Sequence, residues 1–326
     1  MKQISKVVGC VMGVGLFLVV LGALPASAAP CHVPSSVYPT IQAAVDDVTC
    51  ATINVAAGTY TERVTISRDV TLRGGGQEST VVDGGGCCGL SVFTITSGTV
   101  TIANMTIQHG VNGVRGGGIL NEAPSTLTII NCTIADNESG NSGGGIFNQG
   151  TLTVQNSTVT GNGADGGGGG IENGGMLSVQ NSTITGNRSF FLGAGGIENG
   201  GVLSIQNSTI AGNFGNEAAG GIENGGVLSI QNSTIAGNHA TGLGGAGGGI
   251  ANFGTTDVQN STILGNIARE IGGGIANLGS SQLSVQNSTL ADNSAGIGGG
   301  IFNEGTVTLA HVTFENNTPN DCTGCP

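Results

Sequence analysis

Three glutamates, Glu172, Glu198 and Glu223, occupy the same place in three near-identical segments reading GGIENGG. If successive segments stack as neighbouring parallel strands, the carboxylates lie roughly 5 Å apart. Like charges that close need a cation, a proton or full solvation. The column is therefore a candidate calcium site or acidic binding stripe. The plainer reading is three outward, solvated side chains multiplied by duplication. The glycine-rich calcium nonapeptide is not matched by GADGGGGGIENGG (163–175), which lacks its second Asp at the right spacing. A second group is Arg188, Phe190 and Phe191 in RSFFL (188–192), where two aromatics interrupt polar turns. It reads as a ligand-contact loop or as a folded-back apolar cluster.

General acid–base work needs paired carboxylates or a positioned histidine. Asp46-Asp47 falls in a predicted helix, and no carboxylate pairs with His109-Gly110 in the repeat pattern. No catalytic residue set and no cofactor motif is recognised, so the reading leans away from an enzyme. Cys31 with Cys50, and Cys322 with Cys325, are the expected disulfides of an exported chain. Cys87-Cys88 is a vicinal pair, and Cys322-x-x-Cys325 alone supplies too few ligands for zinc. Cys132 stands where most repeats have serine, which suits a small buried filler.

The elements that must hold these residues are repeats. The isoleucine of a GGI motif recurs at Ile119, Ile146, Ile171, Ile197, Ile222, Ile250, Ile275 and Ile301, with gaps of 25–28 residues. Such a period means a solenoid whose units bury their apolar faces against one another. In residues 143–162, Leu152 and Val154 alternate with Thr153 and Gln155, the pattern of a strand with one buried face. Asn156 breaks the alternation, after which Ser157 and Val159 point inward. Three short strands per unit, bent at Asn and Gly, describe one turn of a parallel β-helix. About eleven rungs are expected, two of them before the GGI motifs begin.

Asparagine recurs in three columns, led by Asn104, Asn121 and Asn137. At the bend column (Asn104, Asn131, Asn156 and their successors, ending in His311) it suits the left-handed backbone of a sharp turn. Amides stacked one rung apart can also bond along the column. A threonine column from Thr106 to Thr313 faces outward, as exposed strands favour. A solenoid also needs end caps. In residues 38–48, Ile41, Ala44, Val45 and Val48 share one helical face that would close the N-terminal mouth.

Composition bounds the partners. Lys2 and Lys6, an apolar run over 7–24 and Ala26-Ser27-Ala28 read as a secretory signal peptide over 1–28. Its removal leaves six arginines against twenty acids and no later membrane span. A lysine-free acidic surface disfavours nucleic acid and anionic membranes. The expected layout is a cap at 29–50, a β-helix at 51–318 and a tail at 319–326. The expected location is secreted or at a cell surface, with surface glycans or proteins as partners and no cofactor unless calcium.

The segment IQAAVDD…INVAAGTYTERVTI…VTLRGGG…STVVDG (41–84) is similar to the opening segment of exported right-handed parallel β-helix proteins of the pectin-lyase-like superfamily. The GGGI-x-N repeats resemble those of bacterial polymorphic outer-membrane-protein-like surface proteins. Together the resemblances imply an all-β, right-handed parallel β-helix with a short N-terminal capping helix. They also imply two kinds of function: a structural or adhesive surface protein, or a polysaccharide lyase, hydrolase or epimerase. The motifs of those enzymes (N-T-D, D-D, H-G and R-x-K of the hydrolases, D-P-H-E of the epimerases) are not assembled here. The structural or adhesive reading is therefore preferred.

Overall fold

The computed structural model describes residues 29–87 and 89–326; the expected signal peptide and Cys88 lie outside them. The chain is a right-handed parallel β-helix of about twelve turns. Its longest sheet has twelve strands, from Cys31–Val33 to Thr306–Ala310. Two further sheets have eleven strands each. One carries the threonines (Gly58–Thr61 to Thr313–Glu315), the other the GGI motifs (Val64–Ile66 to Cys322–Thr323).

The rung expected to have three strands has four through the middle of the rod. A sheet of seven two-residue strands runs from Val111–Asn112 to Ile267–Ala268, between the threonine and GGI sheets. The turn count exceeds the expected eleven because Cys31–Val33, assigned to the cap, pairs in register with Ile53–Val55 as the first strand of the long sheet. Likewise Cys322–Thr323, assigned to the tail, pairs with Ile301 and Phe302.

Inward apolar positions stack on their copies one rung away, so one core, mostly of Ile, Val and Leu, runs through the rod, interrupted in one column where Thr256 pairs between Leu228 and Leu283. Ile119, Ile146, Ile171, Ile197, Ile222, Ile250, Ile275 and Ile301 are all fully buried. The threonine column is in register from Thr106 to Thr313.

The asparagine columns divide the labour. The bend residues from Asn104 to Asn287 have φ between 48° and 58°, and His311 has φ 54°. These residues act through the backbone: among the described residues their column shows a single amide contact, Asn131 Nδ2 to Asn104 Oδ1 at 3.2 Å. The amide ladder expected along the bend column runs instead in the other two, buried except at Asn303. From Asn121 to Asn303 each amide donates to the next carbonyl at 2.7–2.9 Å. From Asn137 to Asn317 the distance is 2.9–3.0 Å. A serine ladder runs alongside, each backbone N–H donating to the next Oγ at 3.1 Å. Cys132 occupies its first place, donating from its N–H to Ser157 Oγ, and burial pushes its thiol up to about 11.

The capping helix, Ile41–Asp46, is tied at both ends. Thr40 accepts from Ala43 N–H, and the Glu62 carboxylate accepts from Ile41 and Gln42 N–H at 3.0 and 3.1 Å. Arg68 donates to Val45, Asp47 and Cys50 carbonyls at 2.8–3.0 Å. Opposite charges at the two helix ends complement its dipole. Val48, expected on the buried face, lies past the helix end and is 79% exposed. Cys31 is bonded to Cys50 and Cys322 to Cys325.

Candidate functional site

The glutamate column forms in register on the GGI sheet: Phe147, Glu172, Glu198, Glu223 and Ala251 are successive neighbours. The side chains are not the solvated, outward ones expected. Each is half-buried, Glu172 beneath Gly167 and Glu198 beneath Gly193 of the loops joining the short strand to the GGI strand. Glu172 Oε2 accepts from Gly168 N–H at 3.0 Å. Glu198 Oε2 and Glu223 Oε2 are buried without a hydrogen-bond partner. Over Glu172 and Glu198 the fit needs glycine at Gly167 and Gly193, whereas Ala218 stands at the matching place before Glu223. A methyl group at Gly193, where φ is 85°, would strike both Glu198 Oε2 and Gly167.

Among the described residues no basic side chain pairs with this column. Among the described residues the one ion pair is His109–Asp83, far along the chain from it. No three His, Cys, Asp or Glu side chains among them converge to hold one metal ion. Burial, and then the like charge of Glu198, pushes Glu172 and Glu223 up to about 7. Glu198 is raised by burial alone. A carboxyl near neutrality can pass a proton, which an ordinary surface carboxylate cannot do at that pH. Glu198 and Glu223 open into a cleft of about 450 Å³, shared with Leu192, Glu217, Asn141 and Ser142.

The same loops border the short sheet, whose outer column reads Glu138, Gly163, Arg188, Phe214, His239 and Ile267. Gly163 leaves room for Phe190, whose Cε2 would stand 2.9 Å from a Cβ there. The Arg188 guanidinium lies 5.1 Å over the Phe190 ring. On the following rungs Phe214 and His239 stack with centroids 5.1 Å apart and planes 9° from parallel. Asn216 Nδ2 holds the Phe190 carbonyl at 2.9 Å, fixing the loop between these pairs. Phe190 is 40% exposed and Phe214 44%, while Phe191 points further out at 61%. Shallow clefts of about 280 and 260 Å³ flank the strip, one with Asp165, Glu138 and Phe190, the other with Arg188, Phe214 and Thr241.

The structure thus joins Arg188 to Phe190 and leaves Phe191 outside their pair. Phe214 and His239 went unnoticed in the sequence because each is a lone substitution in a variable turn. Also unforeseen is Asp83, set beside His109 by the pairing of Asp83 with Gln108. His109 Nδ1 lies 2.9 Å from Asp83 Oδ2, and Gln108 Nε2 donates to that oxygen at 2.9 Å. Although burial opposes it, bonds from Gln108, Gly85 and His109 leave the Asp83 carboxyl below its ordinary value.

No family model matches the chain. No curated protein matches it either, so the polymorphic outer-membrane-protein-like resemblance of the repeats is unsupported. Solved structures do match. A Geobacillus virus E2 protein, ORF18, is 13% identical with a TM-score of 0.45, over 81% of this chain and 54% of that one. The pectin methylesterase of Aspergillus niger is 14% identical with a TM-score of 0.41, over 92% and 91% of the two chains. The A-module of a mannuronan C-5 epimerase from Azotobacter vinelandii is 16% identical with a TM-score of 0.42, over 88% and 94%. This chain thus spans about half of the viral protein. Similarity at this level carries no chemistry across.

Proposed function

We propose that the protein is an extracellular β-helix scaffold with an adhesive role, holding a glycan along the short-sheet face. The observation that carries this reading is the strip of Arg188 over Phe190 followed by Phe214 on His239, flat rings presented on consecutive rungs. Phe190 and Phe214, held by Arg188 and His239, keep 40% and 44% of their surface exposed as apolar contact for sugar rings, and the flanking clefts supply polar side chains. The bonded cysteines, and the lack of any helix among the described residues long and apolar enough to cross a membrane, are compatible with life outside the cell. The test is a glycan array read with the wild type and with the Phe190→Ala/Phe214→Ala variant. Binding lost in the variant supports the reading; unchanged binding removes this face from it.

A second reading, a polysaccharide-acting enzyme, is favoured by one observation: Glu172 and Glu223 are held near 7 at or beside an open cleft. Its test is the release of reducing or unsaturated ends from a glycan panel, abolished by Glu223→Gln. Calcium at the glutamate column is a proposal with its own test. Calorimetric titration of the ion into wild type and the Glu172→Gln/Glu198→Gln/Glu223→Gln variant dismisses it if the heats are equal.

A further inference from the structure

Charge around the aromatic strip narrows what it would take. On the Phe190 side, Glu138 and Asp165 share the cleft that the ring lines. Beyond Leu192, on the other side of the same loop, Glu217 opens into the next cleft with Glu198 and Glu223. The cation within the strip, Arg188, is already engaged over Phe190. A polymer with a carboxylate on every ring would lie along Glu138, Asp165 and Glu217, and the guanidinium between them, Arg188, is occupied. A polymer carrying amines would meet carboxylates on both sides of the rings that stack it. Such complementarity selects partners and repels the wrong ones.

We propose that the glycan held by this face is an amine-bearing polysaccharide, with its sugar rings on Phe190 and Phe214 and its ammonium groups toward Asp165 and Glu217. The inference rests on the glycan-binding reading above and names its substrate class. The contacts are solvent-exposed, so they weaken with salt, whereas ring stacking does not.

The experiment compares four probes on the full chain: a glucosamine oligomer, its N-acetylated form, a neutral glucan and a polyuronate, each at low and high salt. The glucosamine oligomer is expected to bind roughly tenfold tighter than its N-acetylated form at low salt. That preference should collapse at high salt and in the Asp165→Asn/Glu217→Gln variant, which keeps the rings and so keeps binding the N-acetylated form. Equal affinity for the two forms, a preference for the polyuronate, or a preference that survives in the charge variant would overturn the inference while leaving glycan binding intact. Failure of all four probes to bind would overturn both.

Discussion

At the scale of single residues, the glutamates and asparagines show how one stacking geometry produces opposite economies. Asn187 donates from its amide to the Asn213 carbonyl and the Val159 carbonyl, and accepts from the Asn162 amide and backbone N–H. Every polar atom is answered, so the column stabilises. Asn187→Ala would orphan several buried groups at once and should cost about 2–4 kcal/mol in denaturant unfolding. Asn181 has φ 48° and an exposed side chain. There Asn181→Gly should change little, whereas Asn181→Ala should cost about 1 kcal/mol from the left-handed backbone.

Glutamate cannot form such a ladder, because an ionised carboxylate has no proton to donate. The folded-state values of Glu172 and Glu223, about 7, lie above that of an unfolded glutamate. The native state therefore binds protons more readily, and stability should fall as pH rises from about 4.5 to 7 and level off above. Glu198→Gln supplies a donor and removes a charge. It should raise stability by on the order of 1–2 kcal/mol above neutrality and by less in acid. Unfolding measured across this range would show a flat profile for the wild type if the column were solvated.

At the scale of elements, what was legible followed from strict period. The strand Thr151–Gln155, the bend at Asn156 and the strand Thr158–Thr160 repeat so regularly that their alternation alone places them. The helix was legible from Ile41, Ala44 and Val45, but its end was not. Asp47 turns to accept from Thr49 N–H and Tyr38 OH instead of continuing the helix, which leaves Val48 outside. The short sheet was missed because two-residue strands such as Arg188–Ser189 are too brief for alternation to register. The burial of the glutamates was missed for a related reason. It is imposed by the irregular loops, whose glycines read in sequence as mere turns. Gly193→Ala tests that link. Its methyl group should expel the Glu198 carboxylate into solvent, so the fall in stability between acid and neutral pH should become shallower even as the fold weakens. An unchanged slope would show that the loop does not bury the acid.

At the scale of the whole molecule, the rod is uniform inside and particular on one flank. Twelve rungs share one core, on the order of 50 Å long. In such a stack each rung rests on its neighbours, so outward positions are freer to vary than inward ones. The departures collect on the middle rungs: Phe214 and His239 on the short sheet with Phe190 just past it, and the three glutamates on the GGI sheet beside it. The sequence displayed RSFFL and the Glu triplet as the breaks in its pattern, but not that the same loops border both. The central claim is that this flank is the binding face, and the four histidines test it most directly. Proton–nitrogen resonances of His32, His109, His239 and His311 would be followed as a glycan that scores on the array is titrated in. The account predicts that His239, stacked on Phe214, shifts while the other three hold still. Shifts confined to His32, His109 or His311 with His239 unmoved would contradict it.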